Sequence, residues 1–196
     1  MEKTAVTAVT STSLATRRLV APCLFAALVA LGGFLRVPIP GNPVPLTLQM
    51  VFVLLAGAFM TPGAAAASML VFLAVGVFGA PVFAGGGAGL GYLLGPTGGY
   101  LIGFVAGAST CALILRGHRS SFARLVLAMS AATLVVHLFG TLHLALYLGG
   151  DLAAATAFDL PFLPGDILKL AVASALATGA STIFVRNDKG PDTPQT

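Results

Sequence analysis

Two charged residues near the C-terminal end carry the clearest chemical signal in this sequence. Asp166 and Lys169 occur three residues apart in the segment Pro-Gly-Asp-Ile-Leu-Lys, a spacing that places both side chains on one face of a helix. Lys169 falls about one turn inside an apolar run, where an ionisable group is expensive. One interpretation is structural, with Asp166 capping the helix and neutralising Lys169. The other is a binding site in which Lys169 takes a ligand carboxylate and Asp166 accepts hydrogen bonds from ligand NH groups.

Further polar candidates lie near the outer ends of other apolar runs. Thr47 and Gln49 precede an apolar run, and a side-chain amide there can bond either a neighbouring helix or a ligand. Tyr92 and Tyr100 are typical of a membrane-interface aromatic belt, and a ligand-facing position is the alternative. Asn42, between Gly41 and Pro43, is typical of a turn.

Other motifs argue against catalysis, metals and nucleotides. The glycine-rich residues 85–91 lack a following GK[ST], the GxGxxG spacing and a βαβ context, so they do not form a phosphate loop. His137 and His143 are six residues apart, with no Cys, Asp or Glu at helical spacing, which favours hydrogen-bonded interior histidines over a metal site or proton relay. Cys23 and Cys111 are isolated. We therefore expect no catalytic residue, no metal and no cofactor.

The elements that position these residues follow from the composition. The 196 residues are 57% hydrophobic and only 8% charged, and the mean hydropathy is +0.98, whereas soluble domains carry about 25% charged residues. No Asp, Glu, Lys, Arg or His occurs between Val37 and Leu115. The sequence predicts an all-α, multi-pass membrane protein with six transmembrane helices. The predicted spans are residues 19–35, 44–60, 62–78, 96–115, 125–148 and 166–185.

The basic residues predict the orientation of these spans. Eight of the ten fall on one side if the N-terminus is cytoplasmic, Arg36 falls on the other, and Lys169 lies within a span. The eight are Lys3, Arg17, Arg18, Arg116, Arg119, Arg124, Arg186 and Lys189. The positive-inside rule then puts both termini in the cytoplasm of a plasma-membrane protein. It also explains the net charge of +4 without a nucleic-acid partner. We expect disordered tails at 1–16 and 187–196 around a membrane domain at 17–186.

Three outer loops and two stripes of small residues complete the pattern. The loops at 36–49, 79–100 and 149–169 are rich in Gly and Pro, and we expect them to form the rim of an external ligand pocket, with residues 85–91 as the segment best suited to close it. The spacing of Ala26 and Ala30 predicts either packing within the chain or docking of a second membrane protein. A stripe at every fourth position predicts close helix packing: Gly95, Gly99, Gly103 and Gly107.

Four motifs in order match a known family. They are VPLTLQ at 44–49, GAPVFAGG at 79–86, GPTGGYLIGF at 95–104 and PFLPGDILK at 161–169. Over about residues 19–185 the chain resembles the BioY family, the biotin-binding S components of energy-coupling factor (ECF) transporters. The resemblance implies a six-helix protein that captures biotin from outside. It also implies three partners in the bilayer and cytoplasm, a transmembrane coupling subunit and two ATPase subunits.

The resemblance also implies roles for individual residues. Lys169 is implied to bind the valerate carboxylate of biotin, and Asp166 its ureido NH groups. Gln49 and Tyr100 are implied to line the pocket, and we add Thr47, Tyr92 and Gly86 as further candidate substrate-binding residues. Ala26 and Ala30 resemble the small-residue motif by which S components dock on the coupling subunit.

Two other functions remain as alternatives. A stand-alone secondary transporter or facilitator of a small carboxylate-bearing solute is favoured by discontinuous helices and by the two intramembrane histidines, although the chain shows no obvious inverted repeat. A membrane enzyme requires a nucleophile or metal constellation that the sequence does not show.

Overall fold

A computed structural model describes residues 20–116 and 121–188 of the chain, with the backbone alone for 181–188. Most of both predicted tails lies outside the described residues, although helix extends to Asp188. The fold is mainly helical, with one two-stranded antiparallel hairpin. The elements in chain order are α1 (Val20–Phe34), β1 (Arg36–Val37), β2 (Leu46–Thr47), α2 (Gln49–Phe59), α3 (Pro62–Val77), α4 (Leu90–Leu93), α5 (Gly98–Leu115), α6 (Phe122–Tyr147), α7 (Leu152–Asp159) and α8 (Leu163–Asp188). Short 3₁₀ turns occupy Ala84–Gly86 and Leu160–Phe162.

The second predicted span begins five residues too early. Residues 44–48 are not helical, and Leu46 and Thr47 pair with Val37 and Arg36 in the hairpin. Pro43 and Pro45 flank Val44, and a residue before proline is driven towards extended backbone. The helix therefore begins only at Gln49. The hairpin, α4 and α7 were not predicted.

Local sequence explains how the chain enters α7 and α8. Gly149 and Gly150 have positive φ angles after α6, and Asp151 then caps α7, its side chain accepting from the Ala154 N–H at 2.8 Å. The last predicted span begins at Leu163, three residues earlier than expected. Pro164 is tolerated in this first turn because an N–H there has no intrahelical partner.

Glycines let α5 lie directly against α6, as the stripe predicted. A Cβ at Gly99 would overlap the His143 side chain and the Phe139 carbonyl oxygen, and one at Gly103 would lie 3.1 Å from the backbone of Val136. Close backbone approach of this kind is the usual reason for small residues between membrane helices. The prediction of close packing is confirmed for this pair.

The helix α2 lies in the centre of the fold and packs against α5 and α8. On α1, Ala26 is only 6% exposed and Ala30 packs partly buried against the same core. Of the two predicted roles of this small-residue spacing, packing within the chain is therefore the one that the burial of Ala26 supports.

The outer surface of the helices is strongly apolar. Three helical segments in the described part of the chain are long and apolar enough to cross a membrane: Gly98–Leu115, Phe122–Tyr147 and Leu152–Ala180. The helices α1, α2 and α3 are apolar but shorter. Large side chains along α6 and α8 face outwards, among them Leu134, Leu138, Leu142, Leu146, Ile167 and Leu168. Exposed apolar side chains along two whole helices are stable in lipid rather than in water.

Candidate ligand-binding site

An open cleft lies between α2, α5, α6 and α8, with the hairpin along one side. Apolar side chains line most of the cleft: Val44, Leu46, Met50, Leu101, Phe104, Val136 and Phe162. The polar lining is Thr47, Gln49, Tyr92, Thr97, Tyr100, His137, Asp166 and Lys169. Six of the seven residues predicted for the pocket therefore line one cleft.

Asp166 and Lys169 form a buried ion pair in this cleft. Lys169 Nζ donates to Asp166 Oδ1 at 2.8 Å, and each residue is 7% exposed. The predicted one-face arrangement and the internal ion pair are confirmed. Helix capping by Asp166 is wrong, because the residue lies inside the first turn and both of its carboxylate oxygens bind side chains.

His137 is the site residue that sequence reasoning missed. Its Nε2 lies 2.8 Å from Asp166 Oδ2, and its Nδ1 lies 2.8 Å from Asp159 Oδ1. Asp159 also accepts from the Tyr100 hydroxyl at 2.7 Å. Five polar side chains from four helices thus form one chain: Lys169, Asp166, His137, Asp159 and Tyr100. The prediction of a hydrogen-bonded interior histidine is confirmed for His137, but its partners are 22 and 29 residues away.

Gln49 lines the cleft and carries a buried donor that has no partner among the described residues. The residue is 2% exposed, and its Oε1 accepts from the Thr47 hydroxyl at 3.3 Å. Its Nε2 is the one buried side-chain nitrogen or oxygen without a hydrogen-bond partner among the described residues. A buried unsatisfied donor costs about 1–3 kcal/mol. Nε2 lies beside α1, 3.0 Å from the position that a Cβ on Gly33 would take.

The two tyrosines face the cleft rather than forming only a membrane-interface belt. Tyr100 makes edge contacts with His137 and Phe162 at ring-centroid distances of 6.2 and 6.1 Å. Tyr92 stacks on Phe83 at 5.1 Å, and its hydroxyl donates to the Ala84 carbonyl at 3.2 Å. Aromatic rings held in this way form rigid apolar walls.

Gly86 and His143 lie outside the lining. Gly86 is in the 3₁₀ turn beside Ala84, which does line the cleft, and its φ of +79° favours glycine. Its N–H donates to the Phe83 carbonyl at 3.0 Å, so its position shapes the turn. His143 Nε2 donates to the Gly95 carbonyl at 3.0 Å, and so this histidine is hydrogen-bonded as predicted.

The first of the three predicted loops contacts the other two, and all three loops contribute residues to the lining of the cleft. The Asn42 amide donates to the Phe158 carbonyl at 2.7 Å, and its Oδ1 accepts from the Val44 N–H, which confirms the predicted turn. The Arg36 guanidinium fills the space that a Cβ on Gly85 would need. The first loop therefore contacts both of the others, as expected for the rim of a pocket.

Comparison with solved structures defines the fold. The fold is similar to that of "the S-component for biotin from an ECF-type ABC transporter", with a TM-score of 0.80 and 24% identity over 87% of this chain and 93% of that chain. It is also similar to "the S component of a bacterial ECF transporter", with a TM-score of 0.55 and 19% identity over 89% of this chain and 98% of that chain. The chain is a membrane protein with the fold of an S component.

Comparison of sequences gives the family. The "Probable biotin transporter BioY" of Pyrococcus horikoshii is 40% identical over 154 residues, which are 79% of this chain and 90% of that protein. The "Biotin transporter BioY" of Rhodobacter capsulatus is 36% identical, over 79% of this chain and 87% of that protein. The "Biotin transporter BioY" of Thermotoga maritima is 32% identical, over 82% of this chain and 94% of that protein. The BioY family model matches residues 3–186. The chain belongs to the BioY family.

Proposed function

We propose that this chain is a membrane-embedded substrate-binding component that captures biotin outside the cell. It hands biotin to an ATP-driven complex with an ECF coupling subunit and two ATPase subunits. Family membership supports biotin as the ligand, since the relatives carry the name biotin transporter. The S-component fold supports the partners.

The observation that carries the proposal is the set of polar side chains that line the cleft. Biotin has an anionic carboxylate, a urea with two NH donors and one acceptor, and an apolar ring and chain. Lys169 provides a cation and Asp166 an acceptor; because the two are in contact at 2.8 Å, they serve the same end of the ligand, and Gln49 adds an amide to the lining. The walls are apolar. A few buried polar groups within apolar walls are the usual composition of a specific small-molecule site.

The same proposal includes the membrane arrangement. Six helices, α1, α2, α3, α5, α6 and α8, lie in the plasma membrane, with both termini in the cytoplasm and the cleft opening outwards. The concentration of Lys and Arg on one side supports this orientation. Outward-facing leucines on α6 and α8 support burial in lipid.

Replacing Gln49 by methionine separates ligand binding from folding. The change removes a buried donor that has no partner in the free protein, so we expect the free energy of unfolding to stay level or rise by up to about 1 kcal/mol. Biotin loses a hydrogen bond, and its Kd should rise about tenfold. Calorimetric titration and thermal unfolding in detergent measure both effects.

Thr133→Val is the matched control for Gln49→Met. Thr133 bonds only the Met129 carbonyl of its own helix at 2.9 Å and does not line the cleft. The biotin affinity of the Thr133→Val variant should equal that of the unmodified chain. A Gln49→Met variant with unchanged affinity would remove Gln49 from the site.

Co-purification tests the proposed partners. The tagged chain, co-expressed with its organism's coupling subunit and ATPases, should bring down all three. Ala30→Trp on α1 should reduce this without changing biotin affinity, whereas Leu134→Trp on the exposed face of α6 should not. Failure of the unmodified chain to retain the coupling subunit would contradict an S-component role.

A stand-alone transporter is the second candidate. The buried chain of ionisable side chains from Lys169 to Asp159 favours it, because such chains mark proton and substrate pathways in membrane proteins. Vesicles that contain this chain alone discriminate the two functions. Biotin accumulation driven by a proton gradient, without any ATPase, would establish the alternative, and accumulation only in the complex with ATP would exclude it.

A further inference from the structure

His137 lies between two carboxylates, one on each ring nitrogen. Nδ1 is 2.8 Å from Asp159 Oδ1 and 2.9 Å from Oδ2, while Nε2 is 2.8 Å from Asp166 Oδ2. Ionised carboxylates only accept hydrogen bonds, and a neutral imidazole has only one N–H. Both contacts are therefore satisfied when each nitrogen carries a hydrogen, which is the cationic form of the ring.

The charge count of the cluster then has a direct consequence. Asp159 from α7 and Asp166 from α8 are the anions that face His137, and Lys169 from α8 is the second cation. Tyr100 from α5 faces Asp159 and the ring. With His137 cationic the free cluster is neutral. With His137 neutral, the free cluster carries one net negative charge, and a bound carboxylate raises this to two.

An excess of two negative charges in a buried site is a large penalty. Like charges a few Å apart repel strongly where water is excluded, and buried charges need balanced partners. Lys169 alone cannot balance a ligand carboxylate, because Asp166 already shares its ammonium group. A positive charge on His137, in the same hydrogen-bonded chain, reduces the net charge of the ligand-bound cluster from two negative charges to one.

We propose that His137 is a specificity-determining residue that lets the cleft accept an anionic ligand beside Asp166, and that Asp159 is the positioning residue that holds the ring cationic. The inference rests on the proposed function, since it takes biotin as the ligand. It assigns a binding role to a residue that does not belong to any of the four motifs.

Biotin and biotinamide test this role, because the two ligands differ only in the charge at the end of the chain. The measured quantity is the ratio of the Kd of biotin to the Kd of biotinamide for each variant. His137→Gln keeps a polar side chain but removes the positive charge, and we expect this ratio to rise about tenfold or more. His143→Gln is the matched control, since His143 is on the same helix and bonds only the Gly95 carbonyl. Its ratio should stay within about twofold of the unmodified chain.

The double variant His137→Gln/Asp159→Asn removes one cation and one anion together. If His137 acts through its charge, the ratio should return to within about threefold of the unmodified value. If His137 only supports the fold, the second substitution brings no recovery. A ratio still raised tenfold or more in the double variant would overturn the proposal, even if His137→Gln alone cannot be purified folded.

The outcomes separate the inference from the function on which it rests. If the unmodified chain does not bind biotin, the proposed function fails. If it binds biotin and His137→Gln weakens biotin and biotinamide equally, or weakens neither, the inference fails and the proposed function stands.

Discussion

Substituting Lys169 by methionine should weaken biotin binding by about 2–5 kcal/mol, which corresponds to a Kd about 30-fold to about 4,000-fold higher. The substitution leaves both Asp166 Oδ1 and the incoming carboxylate without their cation in a buried site. Methionine approximates the length and apolar stem of lysine, so the walls of the cleft are preserved. Calorimetric titration of the purified variant in detergent measures the loss.

Asp151→Asn is the control for removing a charge elsewhere. Asp151 is exposed, caps α7 through the Ala154 N–H and does not line the cleft. We expect its biotin affinity to match that of the unmodified chain. A Lys169→Met variant that binds biotin within about threefold of the unmodified chain would show that Lys169 does not contact the ligand.

The second large effect concerns stability. Gly99→Ala places a methyl group against the His143 side chain and the Phe139 carbonyl oxygen, so α5 and α6 must separate. Overpacking of this kind costs about 1–3 kcal/mol, and we expect the upper part of that range because one of the obstructing atoms is backbone. The loss should appear as a lower Tm by circular dichroism in detergent.

Gly63→Ala supplies the matched control for the glycine stripe. Gly63 is an exposed helical glycine in α3, and nothing lies within 4 Å of a Cβ placed on it. Alanine there should leave the Tm unchanged or raise it slightly, because alanine favours a helix by up to about 1 kcal/mol. Equal Tm values for Gly99→Ala and the unmodified chain would contradict the close contact between α5 and α6.

Features that depend on neighbouring residues could be predicted from the sequence. The Asp166–Lys169 pair follows from spacing on one helix, and the glycine stripe follows from a repeat of four. The membrane class follows from the near absence of charge. Each of these signals lies within a few residues of the element that it describes.

Features that depend on tertiary contacts could not be predicted in this way. His137 is an isolated residue in an apolar run. Its hydrogen-bond partners, Asp159 and Asp166, lie 22 and 29 residues further along the chain, on other helices. The second strand of the hairpin was predicted as part of the second span because Val44, Leu46 and Leu48 are apolar. Only the prolines around Val44 indicated extended backbone there. The small-residue spacing that includes Ala26 is compatible with packing inside the chain and with docking of a partner. Only the burial of Ala26 in the folded protein distinguishes the two.

The most direct test of the biotin-binding proposal is calorimetric titration of biotin into the purified full chain in detergent, with thiamine as a ligand that lacks a carboxylate. The presence of Lys169, Asp166 and Gln49 in one cleft predicts one biotin per chain with a Kd below about 1 µM and no measurable binding of thiamine. A Kd weaker than about 1 µM, or equal binding of both compounds, would contradict the account.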